Sequence, residues 1–495
     1  MTLTTTPPAA RTSPAVNAAR LVRLEARRNV VLLLLPLLAL LFWFDAYRAV
    51  MATPPYWALR GIVMQKHILL DFVPLLAGVA AWVGSRDGRR GTGELITATS
   101  RPRWIAQCAA WTATTGWGVL AYVIGVGILY GRTAAQHAPG GPAWWPAIVG
   151  LCSLPAFTAL AFAAGAFFSG RFTTPIAAIL ALLLLEAGFR GASQSSSPYL
   201  LIVPLNALPG STPSADVAVF GPYLPDLSIC QIMALAGLGL AALAALGLPP
   251  GAAGPAARRV FAGLIALGLA LTGTGVALAG TGRQQATGLV AVPALHNAAD
   301  DRTIAYTPAC TTSATPVCVH PAFREYLPAT QAAFEPILRE LAGLPGAPAR
   351  IEQGPSGYAG GTPVHLSGQP PVATVDLAEA IPADTGRAYT TAELTDIFRR
   401  AFAPPLVAAV VGTGQGRPDE AQSAVLEGLL LASGTPQTPC SGACMVSEVG
   451  APRPGSAAYE AGKRLAGLPA DVRHDWLAEH LPALRAGRIN LEQLP

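Results

Sequence analysis

The stretch SRDGRRGTGELITATSRPRW, from Ser85 to Trp104, holds five arginines and lies between two strongly apolar runs. A short turn between membrane helices needs only a few polar residues. This one adds Gly91 and Gly93, a Glu-Leu-Ile core and a closing Arg-Pro-Arg-Trp, so its meaning depends on which runs around it cross a membrane.

The chain has 495 residues, of which 52% are hydrophobic and only 12% charged, with a mean hydropathy of +0.43. An ordinary soluble domain is about 25% charged. The deficit falls before Gly280; beyond it Asp, Glu, Arg and Pro return at normal density. A membrane helix needs roughly 17–25 mostly apolar residues. Runs at about 29–50, 67–84, 105–130, 143–168, 173–189, 229–248 and 260–279 qualify, and the first of them contains Pro36 and reaches Asp45 early. Seven in succession exclude a large soluble core as their common explanation.

Orientation follows from the bias of Arg and Lys between alternate connections. One side collects Arg11, Arg20, Arg23, Arg27, Arg28, Arg86, Arg89, Arg90, Arg101, Arg103, Arg171, Arg258 and Arg259. The other holds Arg48, Arg60, Lys66, Arg132 and Arg190. The richer side is expected in the cytoplasm together with the N-terminus, which puts everything after the seventh span outside the cell. The expected organisation is therefore a disordered cytoplasmic tail over 1–14, an amphipathic interfacial helix over 15–28 and a six-span domain over 29–250. A seventh span over 251–280 and an extracellular α+β domain over 281–495 follow. In the interfacial helix Arg20, Arg23 and Arg27 recur at helical spacing beside Leu21 and Leu24, as expected for a helix drawn to anionic lipid. The net charge of +5 gives no case for nucleic-acid binding. The excess of Arg over Lys, with abundant Ala, Gly and Pro, points to GC-rich coding of the actinobacterial kind.

Cys108, Cys152 and Cys230 lie in or beside apolar runs, whereas Cys310, Cys318, Cys440 and Cys444 lie in the C-terminal part. An even number in an exported domain suggests disulfides. CTTSATPVC and CSGAC permit local loops, and pairing between the clusters is equally open. In the same part TIAYT, ARIEQ and VATVDL read as strands. FREYLPATQAAFEPILRELAGL reads as a helix with Phe334, Ile337, Leu338 and Leu341 on one face. A capping box from Thr390 to Glu393 opens another helix. The tail ADVRHDWLAEHLPALRAG reads as amphipathic, with Trp476, Leu477 and Leu484 in the core. His474, Glu479 and His480 lack the spacing of a zinc-protease helix, and His320 beside Cys318 has no assignable catalytic partner. No metal or cofactor is expected on this chain.

The Ser85–Trp104 stretch carries a resemblance. Arg89, Gly91, Thr92, Glu94, Thr99 and Arg103 match in one register the pattern R-x-G-T-x-E-x-L-x-x-T-P-x-S-R of type-two ABC transporter permeases. Ile96 replaces the leucine, Ser100 the proline and Pro102 the serine. The resemblance extends over roughly residues 15–250 and includes the interfacial helix and the long connection 191–228, which is similar to the short re-entrant helices of that family. It implies that 89–103, with Gly93, Leu95 and Arg101 beside the matched positions, meets a cytoplasmic ATP-binding subunit. It also implies a second permease subunit, making a homodimer or heterodimer in the lipid bilayer. No GxxxxGK[ST] motif occurs, so if ATP drives transport its hydrolysis is expected on another chain. Asp71, read as early in the second span and close to His67, is the expected pathway residue, and Glu186 is expected to pair with Arg190. No span carries a ladder of acids or histidines, which argues against proton-coupled transport. The competing expectations are a membrane-anchored extracellular hydrolase or peptidase-like protein, and a non-transporting immunity or assembly protein.

Overall fold

Among the described residues seven helices are long and apolar enough to cross a membrane: Val31–Ala52, Trp57–Gly84, Arg103–Ala135, Trp144–Phe167, Thr173–Gly191, Asp226–Ala245 and Pro255–Gly280. They are spans one to seven of a polytopic helical membrane protein. The structure, a computed structural model, describes residues 14–91, 102–194, 198–205, 217–249, 254–284, 290–301, 304–354, 364–381, 389–412, 418–435 and 452–495.

All seven apolar runs are helices, and the differences lie at their ends. The second span begins at Trp57, ten residues before the apolar run does, and takes in Arg60, Gln65, Lys66 and His67. At 1.5 Å per residue its 28 residues reach about 42 Å, and the 33 of the third span about 50 Å. Both exceed a hydrocarbon core of about 30 Å, so polar residues fit at their ends. Arg60, expected in an outside loop, is accordingly helical and buried, and Asp71 lies mid-helix rather than early in the span. The first span continues beyond Pro36 as a helix to Ala52, with one wider π turn over Phe42–Tyr47 that includes Asp45.

Spans two and four form the centre. They touch backbone to backbone where Gly84 meets the Phe162 carbonyl and Gly165 meets that of Ala81; a Cβ at either glycine would stand within 2.3 Å of the opposing oxygen. Small residues at such crossings let membrane helices approach closely. The seventh span packs on the sixth in the same way, with Gly237 against Gly268. Elsewhere the bundle turns apolar side chains outward: Leu33, Leu37 and Leu40 on the first span, Ile179, Leu180, Leu183 and Leu184 on the fifth, Val260, Leu267 and Leu269 on the seventh. An outward apolar surface of this kind suits lipid and would be costly in water. The described residues of the connection 191–228 include a short 3₁₀ turn at Pro198–Ile202 and a four-residue helix at Val217–Phe220. Leu201 and Leu205 are buried, and Gln231 donates to the Leu201 and Val203 carbonyls.

After the seventh span a two-residue ladder pairs β1 (Arg283–Gln284) with β2 (Val290–Ala291). The C-terminal domain then builds a five-stranded sheet from β3 (Ala309–Cys310), β4 (Val317–Val319), β5 (Arg350–Gln353), β6 (Val364–Ser367) and β7 (Val372–Val375). Its order is β3-β4-β5-β7-β6, with β4, β5 and β7 parallel and the two edges antiparallel. The β4 to β5 crossover is helix α2 (Leu327–Leu341), because parallel neighbours need a long return. Helices α3 (Thr391–Val411), α4 (Glu420–Ala432), α5 (Ala457–Gly467) and α6 (Ala470–Arg485) complete the domain.

Phe334 of α2 stacks on Phe402 of α3, and Phe398 adjoins it; all three are buried. Arg473 of α6 is buried, forks onto Glu340 of α2 at 2.7 and 2.9 Å and donates to the Ala466 and Leu468 carbonyls, welding three helices. The Thr390–Glu393 capping box is present, and Asp419 and Gln422 form a second one. ARIEQ and VATVDL each supply a strand, but TIAYT does not: Ile304 is exposed, and Tyr306 turns its ring to His320. Phe334, Ile337 and Leu341 are buried, with Leu338 at their edge; Leu477 and Leu484 are buried, while Trp476 is half-buried and stacks on His480.

Candidate functional site

The candidate site is the end of the bundle from which the Ser85–Trp104 segment emerges. Helix α1 (Pro14–Arg27), one residue offset from the expected 15–28, lies against the N-terminal half of the third span. Its end is pinned there: Trp117 Nε1 donates to the Ala26 carbonyl at 3.0 Å and Asn29 Nδ2 to Thr114 Oγ1 at 2.9 Å. The Asn29 Oδ1 atom also accepts the Val31 amide, so a single side chain holds the break between α1 and the first span. Arg20, Arg23 and Arg27 are exposed.

Just past the second span, the Arg86 guanidinium forks onto Glu25 of α1, with contacts of 3.0 and 3.1 Å. This bidentate bond is the main reason the Arg86 pKa is raised, with the carboxylate charges of Glu25 and Asp87 adding to it against desolvation. Asp87 stands 3.8 Å from Arg86 and 3.9 Å from Arg103 at the start of the third span. Glu25, Arg86, Asp87 and Arg103 thus link α1, the end of the second span and the beginning of the third. Local sequence explains the arrangement: Arg86 and Asp87 sit on a short helical continuation, Arg86–Arg89, and Gly91 closes it with a positive φ of 64°. Only glycine takes that conformation without penalty.

Arg89 is folded back. It donates to Ser85 Oγ and to the Trp82 carbonyl, and its guanidinium lies 3.5 Å from the Trp82 ring centroid. It therefore closes the C-terminal end of the second span, a task usual for a cation at that place. Thr92, Gly93, Glu94, Leu95, Ile96, Thr99 and Arg101 lie outside the described residues. Their segment leaves from Gly91 and returns at Pro102, with the four-residue ion network at its foot.

At the other end, Arg60 is fully buried. It donates to Thr133 Oγ1 at 3.2 Å, to Gln136 Oε1 at 2.5 Å and to the Thr53 carbonyl at 3.1 Å. It joins the end of the third span to the turn between the first two. Asp71, the expected pathway residue, is half-buried with Oδ2 fully covered and without a hydrogen-bond partner. One turn earlier His67 Nδ1 meets Asp45 Oδ2 of the first span at 2.7 Å. Sequence reasoning missed this pair because Asp45 and His67 are 22 residues apart and meet only once the spans pack. Glu186 pairs with Arg190 at 3.1 Å, as its spacing predicts.

The C-terminal domain rests on this second end. Tyr56, Leu59 and Ile62 of the second span's first turns join Phe220, Leu224 and the domain's own core. His320 lies within 4.5–5.9 Å of the Tyr306, Phe220 and Tyr56 rings, and its Nδ1 accepts the Ala322 amide. Burial pushes its pKa down to about 4, so it is a neutral packing group at ordinary pH. Asp226, at the start of the sixth span, accepts the Val292 amide and stands 3.3 Å from His296, whose other nitrogen meets Asp301.

Cys310 and Cys318 are disulfide-bonded across β3 and β4, where they are direct partners. Cys440 and Cys444 lie outside the described residues. Among the described residues no three His, Cys, Asp or Glu side chains stand close enough to hold a metal. His474 and His480 are on α6, whereas His320 is in the seam, so these three histidines do not meet. Comparison of the chain with protein-family models, with curated proteins and with solved structures finds no match in any of the three.

Proposed function

We propose that the chain is the membrane permease subunit of an ATP-driven export system of the ABC type, coupled to a separate ATP-binding subunit through residues 89–103. The observation that favours this reading is the Glu25–Arg86–Asp87–Arg103 network. It gathers α1 and the ends of two long spans at the foot of the basic segment, so a force applied to that segment reaches three elements at once. Partly exposed ion pairs of this kind hold register without fixing it rigidly.

In this reading α1 and the network face the cytoplasm, following the arginine bias, and the C-terminal domain lies outside the cell. The Cys310–Cys318 disulfide supports that placement, because such bonds persist in oxidising compartments. The partner chain hydrolyses ATP, and a second permease subunit completes the pathway. The alternatives are an anchored extracellular hydrolase or peptidase-like protein and a non-transporting immunity or assembly protein.

The test is cross-linking. Glu94→Cys, in a chain lacking the free Cys108, Cys152 and Cys230, is expected to cross-link to an ATP-binding subunit encoded beside this gene. Failure of every position from 89 to 103 to reach that subunit, in membranes where the two co-purify, would sink the coupling proposal.

A further inference from the structure

Asp45, His67 and Asp71 lie away from the α1 end and take no part in the ion network there. We propose that Asp71 is a proton-binding site inside the bundle, completed by the Asp45–His67 pair of the first and second spans.

The site is built by helix geometry. His67 and Asp71 are four residues apart on the second span and therefore share a face. Asp45 reaches that face from the π turn of the first span. Such widened turns often occur at functional positions. The pair accounts for His67 Nδ1 and for Asp45 Oδ2, and it leaves Asp71 Oδ2 covered with no donor.

Ionisable groups are costly at membrane depth and face a partner or a pathway. The other charged groups nearby have their own contacts: Arg48 of the first span lies over the Phe44 ring at 5.4 Å, and Arg60 of the second span is held by Thr133, Gln136 and the Thr53 carbonyl. Lys66 lies over the Phe189 ring at 4.8 Å, and Glu186 of the fifth span holds Arg190. The third and fourth spans carry no Asp, Glu or Lys, and the third span's Arg103 and Arg132 lie near its two ends.

The ligand follows from the donor set. A hard cation needs several oxygens converging on it, and among the described residues no three suitable side chains do so. A proton needs one lone pair. Taken up from water, it converts the Asp71 carboxylate into a neutral acid and gives the covered oxygen a proton instead of a missing partner. A single acid beside one His–Asp pair is no relay, so the absence of a ladder of acids and histidines does not count against it. Proton occupancy acts on how the first span seats on the second, whatever substrate or partner the bundle serves.

Infrared spectroscopy of the full-length protein in lipid vesicles tests this directly. The wild type is expected to show, near neutral pH, the carbonyl stretch of a protonated carboxylic acid, shifted in heavy water. Asp71→Asn should remove that band and Glu186→Gln should leave it. Asp45→Asn and His67→Gln should each change the pH at which it disappears, which also serves should Asp71→Asn fail to fold. A wild type without the band, a band that survives Asp71→Asn, or a titration indifferent to both neighbouring substitutions would overturn the proposal.

Discussion

The two ends of the bundle differ in what covers their joints. At the α1 end two neutral hydrogen bonds, Trp117 to Ala26 and Asn29 to Thr114, stand beside ion pairs, Glu25 with Arg86 and Asp87 between Arg86 and Arg103, whose side chains are all partly exposed. At the other end the joint is an apolar seam, with Tyr56, Leu59, Ile62, Phe220 and Phe323 in one continuous core and a neutral His320 boxed by aromatic rings. Partly exposed pairs contribute little each and weaken with salt. Buried aromatic contacts contribute several-fold more and answer only to a change of shape or burial. The α1 end is thus the one that can rearrange cheaply, and the seam is the one that keeps its geometry. The proposed coupling from the α1 end would make use of that asymmetry.

The largest effect should come from the seam. Phe220→Ala removes a ring that touches both Tyr306 and His320. It is expected to cost about 3–5 kcal/mol, the usual range for a buried Phe. The change should appear as a lower thermal midpoint and as faster proteolysis of the C-terminal domain. A shift as small as that of a surface substitution would show that the seam is not a shared core.

Acid should strike the same place. His320 has a pKa depressed to about 4 by burial, against roughly 6.5 for an ordinary imidazole. Its contribution is complete above the ordinary value and is lost as pH falls toward the depressed one, because the unfolded chain binds the proton first. Thermal midpoints should therefore fall between about pH 6.5 and pH 4, and His320→Phe should flatten that part of the profile. His296 works in the other direction. Its pKa is raised, first by the hydrogen bond to Asp301, with the Asp301 and Asp226 charges adding to it against desolvation. What it contributes is present below the ordinary imidazole value and fades as pH rises through the raised one.

At the α1 end the expected effect is smallest. Glu25→Gln should cost roughly 0.2–1 kcal/mol, and the difference from wild type should shrink as salt is raised. A loss of several kcal/mol, insensitive to salt, would mean that the two ends are not different in kind.

Much of this architecture is legible in the sequence, and the parts that are not share one cause. Seven apolar runs gave seven spans, because helix length in a bilayer is set by a fixed thickness. Thr390 and Glu393 announced their capping box, because that signal is local; Asp419 and Gln422 carry the same signal and were equally open to reading. The start of the second span was misplaced because Arg60 and Lys66 look like loop residues until the third span and the turn at Thr53 supply acceptors for the arginine. The partner of Cys310 is settled by an antiparallel register that places it opposite Cys318, which spacing alone leaves open. The Asp45–His67 pair, the Arg86–Glu25 fork and the ring box around His320 all join residues distant in the chain. Such contacts follow from how helices cross, and a single sequence does not display that.

The account depends most on the α1 network and the C-terminal domain facing opposite sides of the membrane. Arg90 and Ala349 are both exposed. Arg90→Cys and Ala349→Cys, each placed in a chain that keeps only the Cys310–Cys318 pair, can be labelled in sealed vesicles with a membrane-impermeant thiol reagent. The account predicts that one position reacts from outside and the other only after the vesicles are opened. Reaction of both from the same side would contradict it.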